Sequence, residues 1–181
     1  MTSFLDDFQD DDRAMIVSMP VRIGYWMSGI DDAPGTERDD EKEELALERA
    51  VKAVFQKTGD NAFSNDVAEF SLSSRADWPV WKKTAATVLN DLPRVLSLVR
   101  ATLPADAAKG YAKALYYVAV VVAQAASEEG GEDDLTREVM GSGLLNKIID
   151  RLSVKTDASV PENVSAREKA ALQKLLEVLK G

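Results

Sequence analysis

Between positions 31 and 44 stand eight carboxylates, Asp31, Asp32, Glu37, Asp39, Asp40, Glu41, Glu43 and Glu44, with Arg38 and Lys42 the only bases among them. Hard cations such as calcium and magnesium take oxygen ligands, and a loop this rich in carboxylates supplies them. On a helix Asp40 and Glu44 share one face a turn apart, so they could converge on an ion held from the loop by Asp31 or Asp32. The candidate metal ligands are therefore Asp31, Asp32, Asp40 and Glu44, and the candidate ion is calcium or magnesium. The same residues also read as a plain solvated helix start, because acids in a first turn are favoured by the helix dipole by about 0.3–1 kcal/mol each. The twelve-residue spacing of an EF-hand loop is absent. A second acidic run, Glu128, Glu129, Glu132, Asp133 and Asp134, surrounds Gly130-Gly131, whose freedom makes it a poorer ion cradle.

Other chemistry is thinly supplied. The chain of 181 residues has neither histidine nor cysteine. That removes the usual general base, the common nucleophile pairs and the principal zinc ligands. Gly141-Ser142-Gly143 lacks both a histidine and the preceding strand of a nucleophile elbow, and reads as a helix break with Ser142 as N-cap. No glycine pattern for phosphate or dinucleotide binding occurs. A non-enzymatic protein is expected, with no cofactor other than a divalent cation. The aromatic residues Tyr25, Trp26, Trp78, Trp81, Tyr111, Tyr116 and Tyr117 could line a pocket or an interface, although such residues more often fill a core. Trp78-Pro79-Val80-Trp81, beside Lys82 and Lys83, is the piece expected to be exposed to a partner.

The elements that must position these residues are helices. Apolar residues recur at three and four positions, and nothing alternates for long with period two. An all-α bundle of about seven to nine helices is expected. The helix over 39–57 should turn Leu47, Ala50, Val51, Val54 and Phe55 inward, and the last helix Leu172, Leu175, Leu176 and Leu179. Ser165 and Glu168 stand at capping-box spacing at the start of that last helix. Gly29 to Gly35 with Pro34 ends a helix over 13–28, Gly59-Asp60-Asn61 ends the next, and Asp77 before Trp78-Pro79 opens another. Proline inside a helix removes a hydrogen bond, so Pro93 and Pro104 should cut the stretch 78–103, and Pro20 should kink or break the first long helix. The helix over 105–128 is the most apolar and belongs at the bundle centre. Shorter helices are expected over 135–140 and 142–152, followed by a surface connection over 153–163.

A weak internal repeat emerges from this layout. An apolar helix from Ala14-Met15-Ile16-Val17, an acidic loop and an amphipathic helix over 43–51 are echoed by Ala114-Leu115-Tyr116-Tyr117, the acidic run at 128–134 and, after an inserted segment, residues 168–176. Any two amphipathic helices share such a pattern, so the echo is also what unrelated helices would give. The pattern resembles the TerB-like tellurite-resistance family of helical bundles, on residues 14–26, Gly29-Ile30-Asp31-Asp32, residues 40–55 and, more loosely, residues 111–129 with 165–179. The resemblance implies a duplicated helical fold, a divalent cation held by acids at the loop and the following helix start, and a role in stress response through a protein partner. Here the loop after Gly29 is long and carries Pro34, a second aspartate stands where a glycine often follows the first, and residues 135–152 interrupt the second unit.

Charge is unevenly spread. Residues 1–60 hold 15 acids and 7 bases, a net of -8, while residues 61–181 hold 16 and 15, a net of -1, together the formal -9 of the chain. A localised negative field steers basic partners, so the alternative reading is a metal-independent acidic interaction, immunity or inhibitor-type protein. The bases between Arg75 and Lys113 are too dilute for a nucleic-acid groove. The longest apolar run, residues 114–123, falls short of the roughly 18 residues of a membrane span, so no membrane insertion is expected. Asp6, Asp7, Asp10, Asp11 and Asp12 occupy the place where an export signal carries positive charge, and a cytoplasmic setting is expected. The reading is one domain over 1–181, divisible into halves 1–75 and 76–181 if the repeat holds.

Overall fold

The computed structural model describes residues 3–30, 40–58, 61–127 and 164–181. They form seven α-helices and no strand. The helices are α1 (Asp10–Ser28), α2 (Asp40–Thr58), α3 (Ala62–Ser73), α4 (Trp78–Lys83), α5 (Val88–Thr102), α6 (Ala105–Ser127) and α7 (Ala166–Lys180). Three 3-10 turns, Phe4–Asp7, Arg75–Asp77 and Ala85–Thr87, precede α1, α4 and α5. The helices expected over 135–140 and 142–152, the acidic run at 128–134 and the Gly141-Ser142-Gly143 break lie outside the described residues.

The central pair is α1 and α6, which pack against each other more extensively than any other two helices. Both are apolar nearly all round, as buried helices are. Every residue from Ile16 to Tyr25 in α1 and from Ala114 to Val121 in α6 is buried. Around them α2, α3, α5 and α7 each contribute one apolar stripe. The stripe of α2 is Leu47, Ala50, Val51, Val54 and Phe55, all buried as its spacing predicts. That of α7 is Leu172, Leu175 and Leu179, with Leu176 at its margin. The capping box of α7 is complete, Ser165 N donating to Glu168 Oε2 at 2.9 Å and Glu168 N to Ser165 Oγ at 3.1 Å. The two halves of the proposed repeat pack differently: α2 lies extensively on α6, while α7 rests on α5 and α6.

Neither interior proline breaks its helix, since α1 runs on through Pro20 and α5 through Pro93. Pro20 cannot donate to the Ile16 carbonyl, and a buried carbonyl without a donor is costly. The missing donor comes from α6: the Tyr111 hydroxyl donates to Ile16 O at 2.8 Å. Next to it, Ser71 Oγ of α3 donates to Val17 O at 2.5 Å. Pro93 is the sixth residue of α5 and exposed, so it disturbs only the first turn. The break within 78–103 falls instead at residues 84–87. There Thr84 Oγ1 donates to Trp81 O at 3.1 Å and Thr87 Oγ1 to Thr84 O at 3.1 Å. Threonine hydroxyls offer carbonyls an alternative to the helical ladder, and two of them three residues apart end it here.

Gly24 makes room for Leu47 of α2, since a Cβ built there would lie 2.1 Å from Leu47 Cδ1. Among the described residues, no helix is long and apolar enough to cross a membrane.

Candidate functional site

Helix α2 begins at Asp40, so Asp40 and Glu44 are one turn apart on a helix that directly follows the acidic stretch. Asp31, Asp32 and the side chain of Asp40 lie outside the described residues. Glu44 is described, and it faces the rest of the fold. Its Oε2 lies 3.6 Å from Arg75 Nη2, with its side chain 27% exposed. Glu48, one turn on, accepts a hydrogen bond from Arg75 Nη1. The guanidinium sits 5.6 Å from the ring centre of Trp78. Arg75 therefore joins two acids of α2 to the turn that leads into α4. Any cation held through Glu44 must compete with this guanidinium. Among the described residues no three acidic, histidine or cysteine side chains gather as a metal cluster.

The aromatic set is core rather than a pocket lining. Tyr25, Trp78, Tyr111, Tyr116 and Tyr117 are buried, with Trp26 and Trp81 at the margin. This corrects the expected exposure of Trp78, whose indole N–H donates to Ser71 O at 2.9 Å inside the fold. Tryptophan buries a large apolar surface and needs one acceptor; α3 supplies the acceptor, while α1 packs on α4 and sets its Tyr25 ring edge-on to Trp78 at 6.3 Å. Pro79 and Val80 are the exposed members of that piece, Val80 at 59%. Burial raises the Tyr111 hydroxyl pKa well above 10.0. Burial also raises that of Tyr116, and the neighbouring Tyr117 adds to the effect.

Arg22 is the functional-looking residue that spacing alone misses. It is buried in the middle of α1 and reaches the α4–α5 junction. Its Nη2 donates to Thr84 O at 2.9 Å, to Thr87 Oγ1 at 3.2 Å and to Asp91 Oδ2 at 2.5 Å. A charge taken out of water must be paired, and here it also adds a donor to the Thr84 carbonyl, which already accepts from Thr87 where α4 ends. The signal in the sequence is that Arg22 is the one charged residue in the apolar stretch 14–30.

The acidic N-terminal end is ordered. Ser3 and Asp6 form a capping box on the Phe4–Asp7 turn. Asp66 Oδ2 of α3 accepts from Ser3 Oγ at 2.8 Å and from Phe4 N at 2.9 Å. Leu5 and Phe8 are buried, and the Phe8 ring lies 6.0 Å from Phe63, itself edge-on to Tyr111 at 5.5 Å. Arg13 bridges Asp6 and Asp10, and Arg94 of α5 holds Asp12 at 3.0 Å. Asp7 and Asp11 remain exposed and make no ion pair among the described residues.

Compared with family models, with curated proteins and with solved structures, the chain finds no match.

Proposed function

We propose that this chain is a non-catalytic helical module that acts through a protein partner, recognised electrostatically by its acidic first third. The observation that carries this reading is the charge division, -8 over residues 1–60 against -1 over the remainder. Its support in the fold is an N-terminal turn held in place by Asp66 with aspartates left exposed beside it. A fixed field of one sign accelerates encounter with a basic partner and weakens with added salt. The test is affinity for a purified basic partner across a salt series, with and without EDTA. Affinity should fall steeply with salt and ignore the chelator; binding indifferent to salt would refute the reading.

A second reading is favoured by the position of α2, whose first residue is Asp40, one turn from Glu44 and directly after the acidic stretch of the sequence. On this reading the module is TerB-like, holds calcium or magnesium through Asp31, Asp32, Asp40 and Glu44, and serves a stress response in the cytoplasm through its partner. Ligand binding to the folded state stabilises it by about 2.7 kcal/mol at a hundredfold excess over the dissociation constant. EDTA-stripped protein should then melt higher with calcium or magnesium than with sodium at matched ionic strength. Asp31→Asn, Asp32→Asn and Glu44→Gln together should erase the rise. A flat response in the unaltered protein discards the cation and leaves the partner reading in place.

A further inference from the structure

Exposed apolar surface and negative charge coincide at the N-terminal turn. Phe4 is 45% and Phe70 40% exposed, while Leu5, next to Phe4, is buried. The Asp66 carboxylate ties the backbone of Phe4 to the face of α3 that carries Phe70. It accepts from Phe4 N at 2.9 Å, and Phe70 follows it by one turn on the same face of α3. Asp6 and Asp7 share the turn with Phe4, Glu69 adjoins Phe70, and all three acids are exposed. The Phe4–Asp7 turn is held by a capping box, by Asp66 and by two buried apolar side chains, Leu5 and Phe8. Surface ordered in advance loses less entropy on binding, which is what a docking surface needs.

The chemistry selects the occupant. Carboxylates around the rings repel anionic headgroups and nucleic-acid phosphates, and a second copy of the chain would bring the same charges. A cationic protein segment bearing an apolar side chain satisfies both features, and its ammonium or guanidinium groups gain further from an aromatic face. We propose that Phe4 and Phe70, with Asp6, Asp7, Asp66 and Glu69, form a docking surface for a Lys- or Arg-rich protein segment that seats an apolar side chain against the two rings. The proposal rests on the partner reading above and narrows it to one surface.

The experiment uses the full chain and two synthetic peptides of equal charge, one alternating lysine and leucine, the other oligolysine. Affinity and amide shifts are measured at low salt. The lysine–leucine peptide should bind several-fold more tightly and shift the amides of residues 4–7 and 66–70. Phe4→Ser with Phe70→Ser should weaken it at least tenfold, to the level of oligolysine, with the melting temperature unchanged. Should that pair lower the melting temperature, Phe70→Lys alone reads the same surface at an exposed helix position. Equal binding by the two peptides, tight binding unaffected by the phenylalanine changes, or shifts centred elsewhere would overturn this surface while leaving the basic-partner reading standing. Failure of both peptides to bind would overturn the two together. Anionic vesicles bound more tightly than either peptide, or a dimer lost in the Phe4 and Phe70 variants, would overturn the occupant.

Discussion

Deleting one oxygen should test why α1 survives Pro20. In Tyr111→Phe the ring keeps its edge-on contact with Phe63, but the hydroxyl that donates to Ile16 O at 2.8 Å is gone. The carbonyl opposite Pro20 is then buried with no donor, a loss of about 1–3 kcal/mol. For a chain of this size each kcal/mol lowers the melting temperature by about 2–4 °C, so a fall of roughly 2–12 °C is expected. In a Pro20→Ala background, residue 20 regains the N–H that belongs to Ile16 O. The same Tyr111→Phe change should then cost under about 1 kcal/mol, leaving a coupling of about 1–2 kcal/mol between two residues 91 positions apart. Urea unfolding of the four proteins measures it. Equal cost of Tyr111→Phe in both backgrounds, within the roughly 0.3–0.5 kcal/mol scatter of independent sites, would refute the account. Alkali offers a cross-check. Burial raises the Tyr111 pKa above 10.0, so the fold holds its proton where the unfolded chain releases it. The stability this contributes is complete below about pH 10 and declines as pH climbs further, and the decline should be shallower in Tyr111→Phe.

Three further outcomes are expected. Asp91, 37% exposed, can turn to water when its partner is lost, whereas Arg22 cannot, so Asp91→Ala should destabilise by about 3 kcal/mol and by more than Arg22→Met. Denaturant midpoints decide this, and the reverse order would contradict the pairing described. Gly24→Ala must push Leu47 aside in a buried contact and should destabilise by about 1–3 kcal/mol despite alanine's better helix propensity; a gain in melting temperature would show the contact is loose. Ser165→Ala removes half of the α7 capping box and should cost about 1 kcal/mol, visible as faster hydrogen exchange in the first turn of α7 before any change in the helices it packs on.

Features that depend on neighbours a few residues away were legible in the sequence. The inward stripe of α2, the central place of α6 and the start of α7 all follow from periodicity or a cap contained within one helix. Long-range compensation was not. Nothing near Pro20 announces a hydroxyl from position 111, and Pro93 is harmless only because it stands one turn into its helix. Helix α3 escaped notice because Asn61, which looks like the end of the preceding element, is its N-cap, with Oδ1 accepting from Ser64 N at 3.1 Å. Of the candidate metal ligands, Asp40 and Glu44 share a helix as their spacing requires, but the involvement of Glu44 with Arg75 links positions 31 apart. The exposed pair at positions 4 and 70 was equally invisible, since only folding brings the N-terminal turn to α3.

The bond from Tyr111 to Ile16 also bears on how the chain is made. It spans 95 residues, and Arg22 waits for Asp91 over 69. At roughly 5–20 residues per second, Ile16 leaves the ribosome about 5–19 s before Tyr111 does. For that interval α1 lacks the donor for its opened carbonyl, and for about the first 3–14 s Arg22 lacks its counter-ion as well. Holdase chaperones that cover exposed apolar segments should therefore engage nascent chains ending before position 111 and release those that extend well beyond α6.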